Sequence, residues 1–382
     1  MNKLIFIALL SLFSLNLFGQ TQQSPNKQAF ELMSRGDFPG AIAVLDRDIA
    51  KNKNLYESYK LRGAIRRMTG DFAGAFGDYD KALALKADDA ALYEVRASLR
   101  MILRQDFNLI LKDLDAAIAY GKKHEKVYTQ RAAIRFQARD EAGAIEDYQT
   151  AIGLRPDSAA AYNGLSSIYA IRKDDAKAVS ILEDFVNAYE SSGKKIVAPK
   201  REITATSTVD LPSLSDKNMQ VGESTVMFKS EAFSTGTMPT PEQMEEMTDK
   251  LEQSKNTALI YSNLAQLYEK QKNYDKAMAT VEKGLQIDPT DYYAYETRGK
   301  IRIGTGDYNG AVADLSKSIQ MMPSMGSKYL DRGIAYLMLG KNAEAQSDFD
   351  KFLQMFPRGK ENMNKRIAEA RQKLQENKGA PQ

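Results

Sequence analysis

The sequence predicts an all-α chain, built as a solenoid of helix-turn-helix repeats with one irregular insert. Three observations carry that reading. Aromatic residues return at a fixed interval: Phe38 and Phe72, within GDFPGA and GDFAGA, lie 34 residues apart. The same interval separates Tyr59 from Tyr93, Tyr128 from Tyr162, Tyr261 from Tyr295 and Tyr295 from Tyr329, while Tyr93 and Tyr128 are 35 apart. Such a period marks an array in which each unit buries its apolar face against its neighbours. Second, apolar and small residues within one period fall on helical spacing and are broken once by a turn. Third, Pro156, Pro289, Pro323 and Pro357 stop the chain where the next period begins.

Residues 1–19 stand apart from the array. Lys3 opens them, and Leu4–Phe18 is an apolar run broken only by Ser11, Ser14 and Asn16. This reads as a secretory signal peptide cleaved near Gly19–Gln20, shorter than the ~20 apolar residues of a membrane span. The array then fills 22–189 with five units. The first unit, about 22–55, is degenerate, and the third, about 90–124, has one extra residue and Ile110 where other units have alanine.

Tyr162 and Tyr261 are 99 residues apart, 65 more than one period, so residues 190–256 form an insert. Pro199, Pro212, Gly222, Gly236 and Pro239 punctuate it, and Ile203–Leu211 and Ser224–Phe233 alternate in a way that permits short strands or a hairpin. Thr240-Pro241 opens a helix near 241–254, with proline in its first turn. Three further units occupy 257–357. In the middle one Tyr295, Gly299 and Ile303 share a helical stripe, Gly306-Asp307-Tyr308 interrupts, and Ala311, Leu315 and Ile319 mark a second helix. Gly299 with Ala311, Ala265 with Ala277 and Gly333 with Ala345 are small where two helices must cross closely. Over 358–382, Met363, Ile367, Ala370 and Leu374 line one face of a last helix, followed by a tail. That helix caps Leu330, Ile334, Leu337 and Met338, which would otherwise stay exposed.

This ladder of Tyr, Leu/Arg-Gly/Ala, Gly-Asp-Tyr, Ala and Pro resembles the tetratricopeptide repeat over roughly 22–189 and 258–357. The resemblance implies a right-handed superhelix whose concave groove holds an extended or helical segment of another protein. Some members clamp a C-terminal carboxylate with Lys and Asn at fixed positions of the first helix. Here Lys60 has Ala64 where asparagine is needed, and Asn163 has Ser167, so that clamp is not expected. The groove positions implied by the resemblance are Lys60, Arg67, Glu94, Met101, Thr129, Phe136, Asn163, Ser262, Gln266, Glu269, Glu296 and Lys300. Their mixed charge and polarity suit a peptide or protein surface rather than one charged small molecule.

Comparison of the units with one another adds a charge pattern. Five units carry arginine at their seventh position: Arg62, Arg96, Arg131, Arg298 and Arg332. The same five carry aspartate on the second helix: Asp78, Asp113, Asp147, Asp314 and Asp348. Where arginine is missing aspartate is missing too, in Gln28 with Val44, Leu165 with Ile181 and Leu264 with Thr280. The expectation is a charge-assisted hydrogen bond between the two helices of one unit. Pairing between neighbouring units would leave Asp147 opposite Leu165 and Val44 opposite Arg62.

Composition narrows the chemistry. The chain has 53 basic and 50 acidic residues, a net charge of +3, without the basic excess of a nucleic-acid binder. It has no cysteine, which excludes disulfides, thiolate metal sites and a cysteine nucleophile. Its single histidine, His124, stands in Lys122-Lys123-His124-Glu125 and reads as a surface residue. Gly304, Gly306 and Gly310 match a phosphate loop only in composition, because a helix precedes them rather than a strand; Gly70 to Gly77 is alike. Asp88-Asp89 and Asp174-Asp175 lack the spacing of a calcium loop and read as helix N-caps or as simply solvated acids in turns.

No catalytic, cofactor-binding or metal-binding residue is therefore expected. The expected function is a non-enzymatic protein–protein interaction scaffold. It is expected in the periplasm or envelope of a Gram-negative bacterium, with protein partners, no nucleic acid and no membrane span after signal cleavage. The rival reading is an enzyme or carbohydrate-binding module with its site in 190–256, a segment without His, Cys or a recognisable pair of acids.

Overall fold

Each period folds as an apolar stripe, a capped turn and a second stripe. The computed structural model describes residues 26–193 and 241–379. The signal-peptide reading of 1–19 and the strand-like stretches Ile203–Leu211 and Ser224–Phe233 lie outside the described residues. Among the described residues there is no strand, and no helix is long and apolar enough to cross a membrane.

The helices fall into two units, divided after Lys123. The first holds α1 (Lys27–Ser34), α2 (Phe38–Ala50), α3 (Leu55–Met68), α4 (Phe72–Leu85), α5 (Ala90–Ile102) and α6 (Phe107–Ala119). The second holds α7 (Glu125–Gln137), α8 (Glu141–Leu154), α9 (Ala159–Ile171), α10 (Asp175–Ser191) and, from Leu251 onward, α11 (Pro241–Lys270). It continues through α12 (Tyr274–Ile287), α13 (Tyr292–Thr305), α14 (Tyr308–Met321), α15 (Ser327–Met338) and α16 (Asn342–Met355). A 3₁₀ turn at Pro357–Gly359 leads into α17 (Lys360–Gly379).

The turn between the helices of a repeat has a physical cause. The residue before the aspartate is left-handed, as at Gly306 with φ +90°, which ends the first helix. The aspartate then caps the second. Asp37, Asp71, Asp140, Asp174 and Asp307 accept the backbone N–H of Gly40, Gly74, Gly143, Lys177 and Gly310 at 2.9–3.0 Å. The glycines that imitate a phosphate loop are thus parts of a helix turn.

In the first unit, Phe30, Phe38, Leu45, Leu61 and Ile65 form one core cluster, and Tyr79, Leu83, Leu92 and Leu99 belong to a second. In the second unit, α9 to α13 share a core around Phe185, Ile260, Tyr261, Leu264 and Val281. Met363 and Ala370 of α17 close the far end against Leu330, Ile334, Leu337, Phe349 and Phe352.

The helix expected near 241–254 does not end there. It runs without a break into the first helix of the next repeat as the 30-residue α11. No turn residue separates Gln253 from Ala258, so nothing in SKNT stops the helical ladder.

Candidate functional site

The first helices of the repeats present the candidate binding face, and ion pairs hold them to the second helices. In each of the five arginine-bearing repeats the guanidinium grips the aspartate with two parallel bonds. Arg62 Nε and Nη2 donate to Asp78 at 2.9 and 2.6 Å, and Arg96 to Asp113 at 2.9 and 2.5 Å. Arg131 donates to Asp147 at 2.8 and 2.6 Å, Arg298 to Asp314 at 2.8 and 2.7 Å, and Arg332 to Asp348 at 2.8 Å twice. All five carboxylates are buried. Each guanidinium also lies over the tyrosine three residues before it, 5.3–5.8 Å from the ring centre. Arg62 and Arg96 reach further, to Asp46 and Asp80 on the second helix of the preceding repeat. One arginine thereby joins three helices.

A second arginine, one turn on, was not anticipated from sequence. Arg66, Arg100, Arg135 and Arg302 reach the same aspartates at 2.8, 2.7, 3.0 and 2.8 Å. Their spacing of four from the first arginine was the available signal.

The twelve groove positions divide into distinct roles. Lys60, Glu94, Asn163, Ser262 and Glu296 occupy one repeat position, and each reaches toward residues at the start of the following repeat. Lys60 Nζ donates to Asp89 at 2.7 Å, and Glu94 lies 3.6 Å from Lys122. Asn163 Nδ2 donates to the Asn256 carbonyl at 3.1 Å, Ser262 Oγ to Asp291 at 2.7 Å, and Ser327 Oγ to Glu296 at 3.3 Å. Thr129 Oγ1 instead donates to the Glu125 carbonyl of its own helix. Arg67 lies against the Tyr79 hydroxyl, and Phe136 packs on the core of α8 and α9. Met101 is half-buried near the end of α5. Lys60, Arg67, Glu94 and Met101 belong to the first unit, the other eight to the second.

In the second unit the stretch of α11 from Gln253 to Asn263 lies against α9 and the turn before it. Gln253 Nε2 donates to the Asp157 carbonyl at 2.5 Å and Arg155 to Gln253 Oε1 at 3.4 Å, beside the Asn163–Asn256 bond. Asn263 also donates to Asn163 Oδ1 at 3.1 Å. The chain thus covers this part of its own first-helix face, and Asn163 is buried.

The open part is formed by α11, α13 and α15. Tyr293 donates to Gln266 Oε1 at 2.5 Å. Lys300 Nζ lies 2.7 Å from Glu296 Oε1 and 3.8 Å from Asp331 Oδ2, and Arg366 of α17 lies 2.7 Å from Asp331 Oδ1. Burial works against the charge of Lys300, but Asp331, Glu296 and Glu269 together hold its pKa above the ordinary value. Burial raises the carboxyl of Glu269, and burial also raises that of Asp291 against the hydrogen bond from Ser262. Lys328 is fully buried over the Tyr292 ring, with Nζ 3.4 and 3.5 Å from the Ser318 and Met322 carbonyls at the end of α14. Burial lowers its pKa.

Asp331 and Arg366 belong to this cluster and were missed as site residues. Arg366 stands 34 residues after Arg332, so the period itself placed a guanidinium there. Among the described residues no group of three or more His, Cys, Asp or Glu side chains is arranged to hold a metal ion. The arrangement offers hydrogen bonds and charge to a partner.

The sequence pattern of the tetratricopeptide repeat matches residues 129–192 and 258–291. Among curated proteins the chain is similar to the mitochondrial import receptor subunit TOM70 of Homo sapiens, 24% identical over 292 residues, covering 73% of this chain and 43% of the receptor. It is also similar to the Mus musculus receptor subunit, 23% identical over 287 residues with the same coverage of 73% and 43%. The chain spans less than half the length of these relatives. Among solved structures it is similar to a tetratricopeptide repeat protein from Parabacteroides merdae, with a TM-score of 0.49 and 17% identity over 83% of this chain and 99% of that one. A further likeness is to the C-terminal part of a repeat protein from Cytophaga hutchinsonii, with a TM-score of 0.45 and 16% identity over 77% and 94%. With the period in its sequence, its capped helix pairs and these matched segments, the chain is a tetratricopeptide-repeat protein.

Proposed function

We propose that this chain is a non-enzymatic scaffold that binds a segment of a partner protein on the first-helix face of its second unit. A role in protein interaction is general to the repeat, and the relatives to which the chain is similar are named as subunits of an import receptor. The observation that carries the finer reading is the contrast along that face. Over α9 the chain covers its own groove position, whereas Gln266, Glu269 and Lys300 remain part-exposed with their polar groups on α11 and α13. A preformed row of polar groups on packed helices binds an extended or helical segment without first having to be ordered. The apolar run at residues 4–18 supports export to the envelope of a Gram-negative bacterium as the setting for that binding.

A photo-crosslinking amino acid placed at Gln266 in the producing cell tests this reading, with Asp350 on the exposed side of α16 as control. Protein adducts at Gln266 and none at Asp350 are expected. Equal labelling of both, or none at Gln266, would remove the groove assignment. Fractionation of the same cells tests export, since recovery of the full chain in the cytoplasm contradicts it.

A further inference from the structure

We propose that the part of this face formed by α11, α13 and α15 receives a cationic side chain of the partner segment, an arginine or lysine, between Glu269, Glu296 and Asp331. The inference rests on the first-helix face being the binding face and specifies what it selects.

Charge balance is the first argument. Three carboxylates from three successive first helices gather around one ammonium and one guanidinium. Lys300 is shared between Glu296 and Asp331, and Arg366 is committed to Asp331. Lys328 and Asp291 stand next to the group and add one charge of each sign, so the excess stays negative. Lys328 is in any case directed at the carbonyls that end α14.

Unused acceptors are the second argument, and they are independent of the count. Glu296 is 3% exposed, and its Oε2 has no hydrogen-bond partner among the described residues, although Oε1 is occupied by Lys300 and Ser327. A buried carboxylate oxygen without a donor is costly and uncommon in a folded chain. Among the described residues the Glu269 carboxylate, half-buried, takes part in no hydrogen bond or ion pair of its own. Burial raises its pKa even though Lys300 and Arg366 act to lower it, with Asp331 adding to the rise, so the two cations present do not offset its desolvation. A guanidinium or ammonium brings several N–H donors and one positive charge, and so answers both deficits.

The test selects short randomised peptides on the immobilised full chain and then measures single peptides by fluorescence anisotropy. Selected peptides are expected to share an arginine or lysine. Replacing that residue by glutamine should weaken binding about tenfold or more, and so should Glu269→Gln in the protein. Glu269→Gln replaces a poorly solvated charge by a neutral amide, so its melting temperature should equal or exceed that of the parent. This separates a lost contact from a lost fold. Glu269→Lys paired with a peptide carrying glutamate should recover binding. Peptides that compete at Gln266 but bind Glu269→Gln unchanged would overturn the cationic assignment and leave the groove reading standing. Failure to select any peptide that Gln266→Arg blocks would overturn both.

Discussion

At the scale of the residue, the arginine–aspartate braces show what burial does to an ion pair. Two charges withdrawn from water are compensated only by good geometry and by further hydrogen bonds. The bidentate contact, the tyrosine beneath it and the second arginine provide them. That second arginine decides where the pair can be measured. Asp314 holds both Arg298 and Arg302, so removing Arg298 leaves a cation in place. Asp348 is held by Arg332, with Tyr336 where the second arginine would stand. Arg332→Leu and Asp348→Leu should therefore each cost about 3–5 kcal/mol, and the double substitution far less than their sum. Thermal melts of the four proteins measure this, and additive losses would remove the brace as a coupled unit. The pattern was legible because eight imperfect copies let arginine and aspartate vary together within one chain. The roles of Lys60, Asn163, Ser262 and Glu296 were not legible in the same way. Repeat position names the face of the helix, but the partner is set by whichever residue stands near the start of the next repeat, and Asp89, Asn256, Asp291 and Ser327 follow no common pattern.

At the scale of the element, packing of paired helices depends on how closely their backbones approach. Gly63 on α3 faces α4, and a Cβ there would meet the Tyr79 ring at 2.7 Å and Asp78 Cβ at 3.2 Å. Gly77 lies on α4 itself, exposed, with nothing within 4 Å of a built Cβ. One substitution at the two sites should act with opposite signs. Gly63→Ala forces a fully buried ring to move and should cost about 1–3 kcal/mol. Gly77→Ala adds only helix propensity and should gain up to about 1 kcal/mol. Urea unfolding of both variants gives the comparison, and a stable Gly63→Ala would mean that the helix crossing is looser than it stands. Small residues at such crossings were readable from their recurrence, as at Gly299 and Gly333. The continuous α11 was not, because proline and threonine marked where a helix begins and no residue marked that it fails to end. Its consequence is structural, since the unbroken helix carries Gln253 against Asp157 and Asn256 against Asn163.

At the scale of the whole molecule, the period that builds the fold also fixes its response to pH. Most repeats place tyrosines at their helix contacts, so the array accumulates hydroxyls that are buried while neutral. Tyr79, Tyr148, Tyr261 and Tyr268 are all less than a tenth exposed. Burial pushes the Tyr148 hydroxyl from 10.0 up to about 12, and burial likewise raises those of Tyr79, Tyr261 and Tyr268. Carboxylates add to the effect at Tyr261, which donates to Glu190, and at Tyr268, which donates to Glu183. The sign follows from the protons held by each state. Above pH 10 the unfolded chain releases tyrosine protons that the folded chain keeps, so stability falls as pH rises. Each such group contributes about 1.4 kcal/mol per pH unit in that window. Lys328 opposes them, because its lowered pKa favours the folded state as pH climbs toward 10.5, but it is one group against several. Several kcal/mol lost between pH 10 and 11 is comparable with the ~5–15 kcal/mol that holds a typical domain together. Melting temperatures should therefore be flat from pH 7 to 9 and drop steeply above 10. Tyr148→Phe should shallow that drop while leaving the rest of the curve in place. A melting temperature unchanged through pH 11 would show that these hydroxyls are hydrated in the folded chain.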